Sequence, residues 1–174
     1  MPTLKSYCKQ ISTKTLIVFC NDCVRTREVF ENSSFVVTTA FANLVSPKTG
    51  FDKDWLEYLI ASESIQQIMI AGHCDCHVIE FLFEDHSNNP HWIEAQTLLN
   101  QLQVWLGRYS EMNAEDRLKF MVHYTSLQVQ DLYCYLEKLG LAIQVKGIVI
   151  DENHRNSIKK IEFNYFPGFI NFLN

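Results

Sequence analysis

The sequence predicts an α/β fold: a parallel β-sheet core flanked by helices, with an antiparallel C-terminal hairpin strand. Three observations predict it. Short apolar runs rich in β-branched residues recur at 14–20, 33–40, 65–72 and 141–151, and runs of this kind read as strands buried on both faces. Between them lie segments whose apolar residues have helical spacing, and strands alternating with helices pack as a parallel sheet with helices on both faces. Finally, 156–164 alternates apolar and polar residues across the turn "DENHRN" from the fourth run, as the second arm of a hairpin does.

The elements follow in order. "KTLIVFC" (14–20) is the first strand and ends in Cys20; "SSFVVTTA" (33–40) is the second. "FDKDWLEYLIAS" (51–62) is a helix with Trp55, Leu59 and Ile60 on one side. "IQQIMIAG" (65–72) is the third strand, and "DCHVIEFLFED" (75–85) returns to helix. "HWIEAQTLLNQLQVWLGRY" (91–109) is amphipathic, with Pro90 just before its start. The segment 113–140 is one long helix or two, with Gly140 placed as its C-cap. Residues 1–174 read as one domain, without internal repeat or linker.

Composition narrows the function. Hydrophobic residues make up 47% and charged residues 20%, enough for an ordinary core. A net charge of -5 argues against a nucleic-acid-binding surface, which would be basic. No apolar run is long enough to span a bilayer, and the N-terminus lacks the apolar stretch of a secretory signal, so a cytoplasmic location is expected. In such a chain six cysteines point to metal binding or catalysis before disulfides. Cys8 and Cys134 stand alone, and Cys134 lies in an apolar helical pattern as a buried thiol. The others cluster as Cys20/Cys23 and Cys74/Cys76.

Sites in parallel sheets form at the carboxyl ends of strands. Cys20 closes the first strand and His73 follows the third, so both clusters fall on one sheet edge. His73 and Cys76, three apart at a strand–helix junction, can turn toward one point, and Cys76 would sit where a helix dipole favours thiolate. Soft sulfur plus imidazole suits zinc. Two sets of four are open. One is Cys20, His73 and Cys76 with Asp22 or a water; the other is a closed set of Cys20, Cys23, His73 and Cys76. Cys74 and Asp75 then act as spacers, and His77 is a surface or supporting residue. His86, His91, His123 and His154 lack a ligand partner, and Trp92, Trp105, Tyr133 and Tyr135 recur at helical spacing as core or interface residues.

Together these segments resemble the β-class carbonic anhydrases. The family's C-x-D-x-R corresponds to Cys20-Asn21-Asp22-Cys23-Val24, and its G-H-x-x-C to Gly72-His73-Cys74-Asp75-Cys76. Its A-G-N corresponds to Phe41-Ala42-Asn43, and its Q-V-x-x-L to Gln128, Val129 and Leu132. A strand leading into a hairpin follows, so the likeness runs from about Thr13 onward. The resemblance implies a lyase that hydrates carbon dioxide reversibly to bicarbonate, assembled as a homodimer or tetramer. It implies Zn2+ held by Cys20, His73 and Cys76, with an acidified water in the fourth position oriented by Asp22. In some members that aspartate binds zinc itself and closes the site.

The pattern breaks at several places. The arginine that pairs with the aspartate is Val24 here. Without it Asp22 is expected to lean toward zinc, the largest local charge. Arg25 or Arg27 could supply the missing cation, Arg25 being the better placed to join the catalytic set. The glycine after the second cysteine is His77, that of A-G-N is Ala42, and an arginine on the preceding strand is Thr39. Gln10 stands near the family's pocket glutamine, one residue off. Two outcomes are therefore expected: a hydratase, slowed by Val24, or a related zinc protein with a closed or repurposed site.

Overall fold

The structure is a computed structural model that describes residues 3–22, 34–40, 43–45, 53–83, 111–151 and 157–161. The elements are α1 (Leu4–Cys8), β1 (Thr15–Cys20), β2 (Phe35–Ala40), α2 (Lys53–Ser62), β3 (Gln67–His73), α3 (His77–Phe83), α4 (Ala114–Lys138), β4 (Gln144–Asp151) and β5 (Ser157–Ile161). The strands form one sheet in the order β2-β1-β3-β4-β5. β1 pairs parallel with β2 and β3, β3 pairs parallel with β4, and β5 closes the edge antiparallel to β4. This is the expected mixed α/β architecture, with the hairpin at the C-terminal side. The amphipathic segment 91–109 lies outside the described residues. Among the described residues no helix is long and apolar enough to cross a membrane.

β1 and β3 occupy the middle of the sheet and are buried along their whole length. Alternate side chains serve opposite faces. Ile17, Phe19, Met69 and Ala71 join one core, while Leu16, Val18, Ile68 and Ile70 join the other. Each fully buried aliphatic side chain contributes about 1.5–3 kcal/mol, so the two-sided apolar runs are what hold these strands at the centre. The polar residues that begin them satisfy each other: Gln67 Nε2 donates to Thr15 Oγ1 at 3.2 Å.

The segment 113–140 is one helix. Asn113 caps its start by accepting from the Asp116 N–H at 3.0 Å. At the other end Gly140 takes φ 71°, the N–H of Gly140 donates to Glu137 and that of Leu141 to Leu136. That pairing is a Schellman closure, which glycine makes without steric cost. The first half of α4 feeds Phe120, Met121 and Tyr124 into one core; the second half feeds Val129, Leu132 and Leu136 into the other.

Two expectations are corrected, and one element is added. The buried stripe of α2 is Leu56 and Ile60, whereas Trp55 is 36% exposed; the i, i+4 pair faces the sheet and Trp55 lies one helical step off it. Cys134 is half-buried, because Leu132 and Leu136 take the core-facing positions of its helix. The short α1, which no apolar period announces, is capped by Thr3 and buries Leu4, Tyr7 and Cys8.

Candidate metal centre

The register of the central strands builds the site. β1 lies beside β3 with Phe19 level with Ala71, so Cys20 stands next to Gly72, and His73 is one residue further out. The ladder continues past β3, where the Cys74 N–H donates to the Ile150 carbonyl at 3.1 Å. The chain then turns through Asp75 to Cys76, whose carbonyl accepts the Glu80 N–H and so opens α3. A strand end, a turn and a helix start therefore deliver Cys76 to the same edge as Cys20.

The ligand atoms of Cys20, His73 and Cys76 all lie within 4.8 Å of one another, and among the described residues this is the group that could hold a metal ion. All three are buried, at 1%, 3% and 1% exposure. Both His73 ring nitrogens are buried without a hydrogen-bond partner. A buried imidazole normally has one, and a cation accounts for one nitrogen where a protein donor or acceptor does not. Two sulfurs and an imidazole are a donor set that suits zinc.

The two thiols share a hydrogen bond. The Cys76 thiol donates to Cys20 Sγ at 3.4 Å. That hydrogen bond is the main cause that lowers the Cys20 thiol to about 5; burial opposes it, while His73 and the Asp22 N–H add to the lowering. The pocket thus favours sulfur as thiolate, the form in which it binds metal.

Asp22 stands two residues beyond Cys20 but outside the three-ligand group. Its Oδ2 accepts from the main-chain N–H of His77, the first residue of α3, at 2.9 Å. The helix start thereby gains one of the acceptors that its leading N–H groups lack. The His77 side chain points outward, 79% exposed, and pairs with Glu80. Cys23, Val24, Arg25 and Arg27 lie outside the described residues, as do Phe41 and Ala42. Thr39 and Gln10 are exposed.

Asn43 and Gln128 shape the ground beneath the site. Asn43 takes φ 58°, a left-handed conformation that asparagine tolerates. Its Nδ2 donates to the Ala71 carbonyl at 2.8 Å, two residues before His73. Gln128 Oε1 accepts from the Val45 N–H at 3.1 Å and ties the same loop to α4.

Three further residues gather around the centre without having been singled out from the sequence. Arg117 pairs with Asp75 across 3.4 Å. Tyr124 is fully buried, and its hydroxyl is pushed well above the ordinary value by burial first, then by the charges of Cys76 and Cys20. A Cβ built on Gly72 would meet Thr125 Oγ1 at 2.7 Å. Arg117, Met121, Tyr124 and Gln128 are spaced 4, 3 and 4 apart, one face of a helix. That spacing, extended back from Gln128, marks the helix face that Arg117 and Tyr124 share, with Thr125 beside it, but not what they touch there.

No protein-family model matches the sequence, and no curated protein matches it. Solved structures do. A β-carbonic anhydrase of the filamentous fungus Aspergillus fumigatus aligns with a TM-score of 0.67 over 88% of this chain and 92% of that chain, at 18% identity. The chain has the β-carbonic anhydrase fold. Tetrameric β-carbonic anhydrases from the filamentous ascomycete Sordaria macrospora align with a TM-score of 0.65, 17% identity, over 92% of this chain and 86% of theirs. The Coccomyxa β-carbonic anhydrase, solved with acetazolamide, gives 0.65 at 19% identity over 86% and 72%. On this β-carbonic anhydrase fold, the Cys20–His73–Cys76 group occupies the carboxyl edge of two central parallel strands.

Proposed function

We propose that the protein is a zinc-dependent carbonic anhydrase that hydrates carbon dioxide reversibly to bicarbonate. The observation that carries this is the convergence of Cys20, His73 and Cys76 on a β-carbonic anhydrase fold. Zinc bound there supplies a Lewis acid that lowers the pKa of water toward neutrality. Cys20 and Cys76 would hold the ion as thiolates and His73 as a neutral imidazole, so their charges would balance a divalent cation. Asp22, with Oδ2 held by the His77 N–H, keeps Oδ1 as an acceptor that would orient the water such a site activates. In this assignment the main-chain N–H at His77 does part of what an arginine at position 24 would do. Arg25 remains the candidate cation for the rest. Like the Sordaria macrospora enzymes, the chain is proposed to work as an oligomer, a dimer or tetramer.

The test is stopped-flow carbon dioxide hydration by the zinc-loaded protein between pH 7 and 9, beside a Cys76→Ala control. Hydration above that control is expected. None at any pH would overturn the proposal.

Val24 favours a second reading, in which Asp22 or Cys23 closes the site and the zinc turns over no carbon dioxide. Under it, Val24→Arg raises hydration from near zero; a natural protein that is already fast contradicts it.

A further inference from the structure

We infer that Arg117 is a positioning residue for the metal centre, acting through Asp75 on the turn that carries two of the proposed ligands. The inference rests on the zinc reading above and adds to it a part of the chain that the sequence motifs leave out.

Asp75 is two residues after His73 and one before Cys76. Whatever fixes Asp75 fixes the separation of the two ligands. Its Oδ1 faces Arg117 Nη1 at 3.4 Å. The same guanidinium donates from Nε to the Met112 carbonyl at 3.3 Å. Contacts from two different nitrogens of one planar group, Nε to Met112 and Nη1 to Asp75, restrict its swing in a way a lysine ammonium could not reproduce. Arg117 stands in the first turn of α4, where the Asn113 cap holds the backbone. One and two turns further along, Met121 and Thr125 of that helix lie against Gly72, the residue before His73. α4 therefore touches the metal-binding segment on both sides of His73: at Gly72 by packing, at Asp75 by charge.

The side chains of the pair are 24% and 34% exposed. Ion pairs with that much access to water add little to global stability. Their value here is preorganisation. A turn already held in place loses less conformational freedom when its thiolate and imidazole close on a cation. Removing the tether should then weaken metal binding far more than it weakens the fold. Supporting contacts around metal sites characteristically change affinity about 10–100-fold. A tether one residue away from a ligand belongs at the lower end.

The experiment compares the natural chain with Arg117→Gln, Asp75→Asn and the exchanged pair Asp75→Arg/Arg117→Asp. Zinc affinity is read by chelator competition, site geometry by the thiolate-to-cobalt absorption of the Co2+-loaded protein, and fold stability by the melting of the metal-free form. Each single variant is expected to lose about tenfold in zinc affinity and to shift the cobalt band. Its metal-free melting should stay close to that of the natural chain, and the exchanged pair should regain most of the affinity. Affinity within twofold of the natural chain in both single variants overturns the inference. So does a loss matched by metal-free destabilisation that the exchange does not repair. A natural chain that binds zinc while the variants bind it equally well sinks this inference alone; a natural chain that binds none sinks the zinc reading with it.

Discussion

Asp22 Oδ2 accepts a 2.9 Å hydrogen bond from the main-chain N–H of His77. The side chain that the sequence suggested as a zinc ligand is thus engaged by a helix start, and the residue that departs from the family's glycine contributes its backbone. His77→Pro isolates this contact, because proline at the first helical position removes the N–H and still suits the helix. His77→Ala keeps the donor and is the matched comparison. A hydrogen bond to a charged group is worth about 1.5–3 kcal/mol, so His77→Pro should lower kcat/KM by about tenfold or more relative to His77→Ala. Equal values would remove Asp22 orientation from the mechanism.

Gly72 should tolerate no side chain. A methyl group there meets Thr125 Oγ1 at 2.7 Å and Met121 Cε at 3.1 Å. The Met121 end can move, but Thr125 is branched at Cβ and fixed on α4. Gly72→Ala should cost about 1–3 kcal/mol in urea unfolding. Adding Thr125→Ala should recover part of that loss, since the two positions share one contact. Strictly additive effects would contradict the packing described.

Much of this was legible in advance, for physical reasons. β1 and β3 are buried on both faces, so their runs carry an unbroken apolar signal. Their parallel pairing puts both carboxyl ends on one edge, which is why Cys20 and His73 could be joined on paper. Contacts made by long side chains between distant segments leave no such trace. The spacing that marks Asp75 as a spacer says nothing of Arg117, 42 residues away. Tyr124 reads as core because its ring is core; only the fold sets its hydroxyl near two thiols. α1 escaped notice because five residues are too few to show a period.

Gln128 makes a contact of that long-range kind, 83 residues from its partner. Gln128→Leu fills similar space but strands the buried Val45 N–H. Loss of about 1–3 kcal/mol is expected in chemical denaturation. An unchanged midpoint would show that this loop does not depend on α4.

The hydrogen-bonded thiols of Cys20 and Cys76 set a pH dependence for the metal-free protein. Cys20 is lowered from 9.0 to about 5 by the Cys76 hydrogen bond above all. Between those values the unfolded chain binds more protons than the folded one, so stability rises with pH. It is fully present above the unfolded value near 9.0 and is lost as pH falls through about 5. Urea midpoints taken from pH 5 to 8 should climb, and Cys20→Ser should flatten the climb. A slope of the opposite sign would contradict the assignment of the thiolate. Zinc should likewise be released on acidification, because its ligands must first take up protons.

The most direct test of the central claim is the X-ray absorption spectrum of zinc in the purified, zinc-loaded chain. Ligation by Cys20, His73 and Cys76 predicts two sulfurs at about 2.3 Å and two nitrogen or oxygen neighbours at about 2.0 Å. Three sulfurs would place Cys23 on the metal, and a shell without sulfur would contradict the centre altogether.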